Sequence, residues 1–509
     1  MKKKHVFNFD DKVQIEKHGL TVDDVENQLE SYKKGFPFAK LVDVATIGKG
    51  IVAFNKNEQK YLVDSFDECS SYYKIAKFVP ASGAATRMFK NLFVALDSIE
   101  KNKDISKDAL LFFSNIKQLA IYDELKEYFD KKGENIDKIL ENKDYTKILK
   151  ALLNKSGLNI AALPKALIPF HRYENFTRTP LEEHIFEGLS HAVGFKNKLN
   201  IHFTIGYGQL KNFKKIIAKT LADLKTDVKI NISYSYQQKN TDTIAVNIDN
   251  EPAYDKAGKL IFRPGGHGAL LQNLNDIKDE MVFLKNIDNI VPDKHREDTI
   301  WYKKVIGGYL MKIVNDIHAF LTMLDDGNVD DGDLEEMIVY AKEKLNIYIP
   351  DWLSDFDKME KIDFLYDIFN RPIRVCGMVK NEGEPGGGPF FTQDEFGNIS
   401  LQIVETSQID MNDKVQYDIF KKSKYFNPVD LVCWKNNFKD EPFNLADFSD
   451  PNAGFISLKS FEGKEIKAME HPGLWNGAMA HWITIFVETP LSTFNPVKEI
   501  TDLLRDKHI

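Results

Sequence analysis

Five segments of this chain carry charged or glycine-flanked polar residues of the kind that phosphate chemistry uses. The first is Pro80-Ala81-Ser82-Gly83-Ala84-Ala85-Thr86-Arg87-Met88-Phe89-Lys90, placed after a β-prone run and before a helical stretch. Small residues there let backbone N–H groups approach a phosphate chain, a following helix adds its positive end, and Arg87 and Lys90 can offset charge. A tight strand-to-helix connection with no ligand is the bland alternative. In the second, Lys165 stands between Pro164 and an apolar run, a rigid and partly desolvated place for a fixed positive charge; Arg178-Thr179-Pro180-Leu181-Glu182 then opens a helix. An ordinary surface lysine is its alternative. The third, Phe262-Arg263-Pro264-Gly265-Gly266-His267-Gly268, sets three glycines around one histidine, so that a ligand can meet bare backbone and one directional hydrogen bond. The fourth ends an apolar run at Asn286-Ile287-Asp288-Asn289, where an open α/β sheet presents ligand groups, unless Asp288 only closes the strand in an Asx-turn. The fifth, Phe494-Asn495-Pro496-Val497-Lys498, holds one basic group behind a proline.

The chain that must position these residues is 509 residues long, with 43% hydrophobic and 28% charged content, enough for several domain-sized units. Its 68 basic and 76 acidic side chains leave a net charge of −8, which provides no attraction for nucleic acid or an anionic membrane. With 60 Lys against 8 Arg, an arginine inside a motif stands out. Cys69, Cys376 and Cys433 lie far apart without metal spacing, so a disulfide framework and a zinc ribbon are both set aside. The start, Met1 to Asp11, meets two aspartates before any apolar run and does not read as a signal peptide. No run reaches the ~18 apolar residues of a spanning helix. The expected location is cytoplasmic.

Residues 1–73 read as mostly helical: Thr21 with Asp24 can cap a helix whose apolar face is Val22, Val25, Leu29 and Tyr32, and Gly35 ends it. Strand-like runs at 73–80, 200–206, 228–238, 281–284, 371–379 and 400–405 alternate with helical sequence, the pattern of an α/β sheet. Helical blocks cover 91–160 and 294–370. The expected layout is a helical segment 1–73, a core 74–440 with those two blocks as insertions, and a segment 441–509 that returns Lys498 to the core. The acidic tract Asp325 to Asp333 resembles a calcium loop only in part. It has Asp331 where glycine is needed and Met337 where a bidentate Glu is needed, so it reads as a cap for a helix Leu334–Lys344.

In chain order, these segments resemble the UDP-sugar pyrophosphorylase family of nucleotidyltransferases, and the likeness includes a bacterial branch known as a domain of unknown function. Ser82 to Lys90 is similar to the family's nucleotide loop, with Thr86-Arg87 in place. Pro164-Lys165 and Thr179-Pro180-Leu181-Glu182 match the next elements, Tyr236-Gln237-Gln238 the base-reading segment, and Pro264 to Gly268 the second glycine-rich element. Asn286 to Asn289 resembles the metal-binding strand end, Ile403-Val404-Glu405 and Phe426-Asn427 the sugar segments, and Phe494 to Lys498 the terminal element. The resemblance, spanning about 74–505, implies a Rossmann-like mixed sheet of the nucleotide-diphospho-sugar transferase (GT-A-like) type. The chain departs from the family in having Ser82 and Ala85 where glycines are usual, in a long stretch between Arg87 and Lys165, and in Glu382 to Pro389, either a lid or a connection.

The activity so implied joins a sugar 1-phosphate to a nucleoside triphosphate, with UTP as the expected partner, and needs Mg2+. Arg87 would hold the leaving pyrophosphate, Lys165 would draw the phosphates together, Asp288 would bind Mg2+, and Lys498 would replace a second metal carboxylate. Ser82, Gly83, Ala84, Ala85 and Thr86 would line the nucleotide, and Gln238 and Gly266 would select the base. His267 would lie near the α-phosphate, and Glu405 and Asn427 would take sugar hydroxyls. Two other readings stay open: a protein that binds a nucleotide sugar without turnover, and a glycosyltransferase, whose usual Asp-x-Asp pair is here a single Asp. The choice of sugar and the oligomeric state stay open as well.

Overall fold

A computed structural model describes residues 5–383 and 386–509. Met1 to Lys4, and Glu384 and Pro385 of the 382–389 segment, lie outside the described residues. The chain forms a mixed α/β protein of two compact units, each assembled from three stretches: 1–66, 237–282 and 305–489 in the first, 67–236, 283–304 and 490–509 in the second.

In the first unit, strands Thr46–Ile47, Gly50–Val52, Ile483–Glu488, Ile373–Lys380 and Asp430–Trp434 lie side by side in that order. The first three junctions are parallel and the last is antiparallel. Ile373–Lys380 is buried at every position but its last, as expected of a strand covered on both faces. Residues 1–73 are less helical than their sequence suggests. Helices Phe9–Lys17 and Val22–Lys34 are present, but Lys40–Val44 is a strand paired antiparallel with Gly388–Gln393. That pairing partner lies more than three hundred positions away, which is why local periodicity does not reveal it. The expected border at 440 falls between two strands of the same sheet, Asp430–Trp434 and Ile483–Glu488.

Local chemistry sets the helix ends. Thr21 and Asp24 form a reciprocal capping box, and Gly35 closes that helix at φ +72°. Asp330 and Asp333 form another, so the acidic tract caps helix Asp331–Glu343. Among the described residues, no group of three His, Cys, Asp or Glu could hold a metal ion, and no helix is long and apolar enough to cross a membrane.

In the second unit, strand Met281–Lys285 adjoins Ile75–Pro80 through its residues from 283 onward. Ile75–Pro80 runs parallel to Lys198–Ile205, which runs parallel to Lys229–Tyr236. The 91–160 block consists of helices Lys90–Glu100, Lys107–Asn115, Ile121–Asp130, Ile136–Glu141 and Tyr145–Leu153. Phe112, Leu125, Ile148 and Leu152 fill its core together with Ile290, Val497, Ile500 and Leu503. The block is therefore what the C-terminal stretch packs against, and burying Val497 fixes where the neighbouring Lys498 emerges.

Candidate active site

Four loops converge in the second unit. Strand Ile75–Pro80 ends where the Ala81 amide donates to the Thr204 carbonyl, and the chain then turns into Ser82–Arg87. Ser82, Gly83, Ala84, Thr86 and Arg87 are exposed, whereas Ala85 and Met88 are buried and hold the loop down. A single 3-10 turn, Ala85–Arg87, stands between the loop and helix Lys90–Glu100, so the loop does not open directly onto that helix. The Ala85 amide donates to Leu163 (3.0 Å) and the Lys165 amide to Gly83 (3.1 Å), so the loop and the Pro164-Lys165 element lie edge to edge.

The Lys165 side chain closes the arrangement. Its Nζ donates to Asp288 Oδ2 at 2.7 Å and to the Val497 carbonyl at 2.8 Å. The Val497 amide donates to the Asp288 carbonyl (3.2 Å) and the Ile500 amide to Met88 (3.1 Å). Asn91 Nδ2 reaches Glu499 Oε2 at 3.0 Å. Arg87, Lys165, Asp288 and Lys498 are thus carried by segments hydrogen-bonded to one another. The Lys165 and Asp288 side chains are 17% and 20% exposed, sheltered enough to strengthen the pair yet still open to a ligand.

Beneath the loops lies a fully buried charge cluster. Glu187 Oε1 accepts from Lys77 Nζ and Glu187 Oε2 from Lys285 Nζ, each at 2.7 Å. Burial favours the neutral carboxyl, yet Lys285 and Lys77 hold Glu187 well below the usual carboxylate range. Burial also brings Lys77 down to about 7. The geometry favours the charged lysine, since its Nζ donates both to Glu187 and to the His184 carbonyl. His184 Nε2 in turn donates to the Ile287 carbonyl at 3.2 Å and braces the residue before Asp288.

The other expected site residues belong to the first unit. His267 stacks on Trp475 (4.0 Å, 6°), and its Nδ1 accepts from the Leu474 amide at 2.9 Å. That bond places the ring proton on Nε2, 3.8 Å from Glu405 Oε1. Burial pushes His267 down to about 4 and raises Glu405. The glycines beside His267 are explained by packing within the unit. A Cβ on Gly266 would stand 2.5 Å from Glu470 Oε2, and one on Gly265 or Gly268 would strike His471 or the Pro472 carbonyl. The turn after Gln238 closes on the same place, since a Cβ on Gly265 would come within 2.5 Å of the Thr241 carbonyl. Asn427 stands apart from this cluster: its Nδ2 donates to Gly377 and its Oδ1 accepts from the Val429 amide, so its side chain anchors a backbone turn.

The family model described as Domain of unknown function (DUF4301) matches residues 8–509. The chain belongs to this family. No curated protein matches it. Among solved structures, it is similar to the UDP-glucose pyrophosphorylase from Leishmania major, at 12% identity and a TM-score of 0.44, covering 97% of this chain and 77% of that one. It is also similar to the UDP-N-acetylglucosamine pyrophosphorylase from Trypanosoma brucei, at 10% identity and a TM-score of 0.46, covering 95% and 74%.

In this DUF4301 chain His508 belongs to a buried polar cluster with His171, Glu183 and Arg296. His508 Nδ1 and His171 Nε2 are 3.0 Å apart, and His171 Nδ1 meets Glu183 Oε1 at 3.0 Å. Arg296 Nη2 bonds the other oxygen of Glu183 at 2.6 Å. Burial, with the nearby His171 and Arg505, pushes His508 down to about 3. An imidazole neutral in the fold but titrating near 6.5 when unfolded leaves stability intact above about pH 6.5 and lost progressively as pH falls toward 3. At pH 5 the loss from His508 is about 2 kcal/mol. Thermal melting of the wild type should therefore fall more steeply between pH 7 and 5 than that of His508→Phe; parallel slopes would refute this.

The residues that the motifs did not reveal are Lys77, Glu187 and Lys285, the Val497 carbonyl, and the Glu470–Trp475 strip. Lysine and glutamate in isolation read as surface residues, and a backbone carbonyl leaves no trace in residue type. The strip did carry a signal, His471-Pro472-Gly473-Leu474-Trp475-Asn476-Gly477, which sets glycines beside an aromatic ring, and His471 and Pro472 pack against Gly265 and Gly268.

Proposed function

We propose that this protein is a nucleotidyltransferase that joins a sugar 1-phosphate to UTP and releases pyrophosphate. A GT-A-like sheet would carry the chemistry, with the helical blocks as insertions. The observation that carries the reading is the Lys165 ammonium, bonded at once to Asp288 and to Val497 beside the exposed Ser82–Arg87 loop. Lysine has three donors. Among the described residues, two are engaged by these partners, which leaves one for a phosphate oxygen.

In this transfer an oxygen of the sugar phosphate forms a bond to the α-phosphorus, and the bond from that phosphorus to the bridging oxygen breaks. The departing pyrophosphate keeps the electron pair. Such a reaction needs alignment and charge compensation more than covalent help. Arg87, exposed on the loop, would take the pyrophosphate, and Lys165 would bridge the two reacting phosphates. Lys498 would add the further positive charge.

Asp288 suits Mg2+ in a minimal way: it gives one hard oxygen donor, and Mg2+ commonly binds through one or two carboxylates plus substrate phosphates and water. Bound there, the ion would draw charge from the phosphate oxygens. In the first unit taken by itself, His267 and Glu405 form the pair suited to ligand hydroxyls.

The decisive experiment incubates the protein and Mg2+ with each nucleoside triphosphate crossed with common sugar 1-phosphates and reads pyrophosphate. Release is expected with UTP and at least one sugar. The packing of the Glu470–Pro472 strip over Gly265–Gly268 favours a second reading, a protein that binds a nucleotide sugar without turnover. A raised melting temperature with a UDP-sugar, and no pyrophosphate from any combination, would select it.

A further inference from the structure

Within the first unit, helix Asp331–Glu343 ends in a loop whose Asn346 adopts φ +53°, a left-handed conformation that asparagine tolerates better than most residues. The chain then passes through Tyr348 into the 3-10 turn Asp351–Asp355 and helix Lys358–Phe369. With the first residues of strands Ile399–Val404 and Ile483–Glu488, these segments line a cavity of about 430 Å³. That lies within the range of roughly 300–1,000 Å³ typical of small-molecule sites. Neither His267 nor Glu405 lines it.

The lining is aromatic where it is apolar. Trp352 is 50% exposed yet held in place, its ring 4.8 Å from Phe356 and 5.8 Å from Phe364, which it meets edge-on at 83°. Trp482 also lines the cavity and is 4% exposed, and its indole N–H has no acceptor among the described residues. A buried donor left in this way is costly, so an acceptor brought by a ligand is favoured there. The charged lining residues are already engaged. Arg371 Nη2 donates to Asp367 Oδ2 at 2.8 Å. Asp394 Oδ1 accepts from the Phe396 and Asn398 amides, and its Oδ2 accepts from Asn398 Nδ2. Among the described residues, the side-chain polar groups of Asn346, Tyr348 and His481 in the same lining have no hydrogen-bond partner.

We propose that this cavity binds a neutral sugar, with its C–H face against Trp352 and one hydroxyl oxygen accepting from Trp482. A phosphorylated ligand would find Arg371, the one lysine or arginine of the lining, already paired with Asp367. A sugar hydroxyl both donates and accepts, which suits a lining of one indole donor, a phenol, an amide and an imidazole. Half-exposed indole rings give such a ligand a flat apolar surface at little cost in side-chain freedom.

Ligand-observed NMR titration of the full chain tests this, with glucose, galactose, mannose, N-acetylglucosamine, maltose and cellobiose as probes and uridine as the control. At least one sugar should bind wild type, and Trp352→Ala should weaken it roughly 10-fold, the loss of one aromatic contact. Trp352→Tyr keeps a ring and should stay within three-fold. Trp482→Phe keeps the ring without the N–H and should weaken the same sugar about 5-fold. Because Trp352 is half-exposed, its variants should melt close to wild type. The proposal falls if no probe sugar binds wild type, or if Trp352→Ala and Trp482→Phe bind as wild type does. Binding of uridine alone, lost in Trp352→Ala, would overturn the sugar assignment. Pyrophosphate release should be unchanged by Trp352→Ala, so the nucleotidyltransferase reading stands or falls separately.

Discussion

Lys165→Ala is expected to lower the turnover number for pyrophosphate release by about 100- to 1000-fold, the range seen when one pre-organised charge-stabilising group is removed from a transfer site. The side chain does two things in the structure. It donates to Asp288 and to the Val497 carbonyl, and so joins the end of strand Met281–Lys285 to the C-terminal element. It also brings the positive charge that would face the phosphates. Truncation removes both, yet the partners left behind are not stranded in a dry core, since Asp288 is 20% exposed. Stability should therefore change little, and the loss should appear in turnover. Lys165→Arg keeps the charge but replaces a point ammonium with a wide planar fork, so it should recover only part of the rate. Near-normal pyrophosphate release by Lys165→Ala, in any substrate pair that the wild type uses, would remove Lys165 from the chemistry.

Glu187→Gln should be the most destabilising conservative change in the second unit, by about 3–5 kcal/mol, the cost of removing one partner from a buried ion pair. Lys77, Glu187 and Lys285 are each at most 1% exposed, and the one carboxylate serves both ammonium groups. An amide keeps the shape but removes the counter-charge, leaving two lysines in a dry site. The effect should be visible as a lower urea midpoint for the transition that includes the second unit. Replacing all three side chains with methionine should restore much of the loss, because uncharged groups of similar size carry no desolvation cost. A Glu187→Gln protein as stable as wild type would refute the account. Because Lys77 sits in the strand that leads to Ser82 and Lys285 in the one that leads to Asp288, the single variant should also lose substrate affinity before it unfolds.

What could be read in residue order was chiefly local. The Thr21 capping box, the Asp330 cap and the β-prone runs that became Ile75–Pro80, Lys198–Ile205 and Ile373–Lys380 are short-range patterns, set by side-chain spacing and backbone capping. Strand Gly388–Gln393 was not legible, because it begins Gly-Pro and its antiparallel partner Lys40–Val44 comes from the far end of the chain. The role of the Gly265–Gly268 glycines was equally hidden. Their presence signals a close approach, but residue type does not say whether a ligand or another stretch of chain makes it.

The order of residues by itself determined the kinds of groups available: a small-residue loop with one arginine, a lysine after proline, an aspartate closing an apolar strand, a lysine near the end. It also determined most helix starts, since capping acts within four residues. Only the tertiary structure decided that Lys165 bonds Asp288 and Val497, that Lys77 and Lys285 share Glu187, and that the ring of Tyr207 stacks on that of Tyr236. Each of those depends on which water is excluded and which distant segment arrives in its place. Burial and pairing are properties of the folded neighbourhood, and a one-dimensional list of side chains carries no coordinate for them.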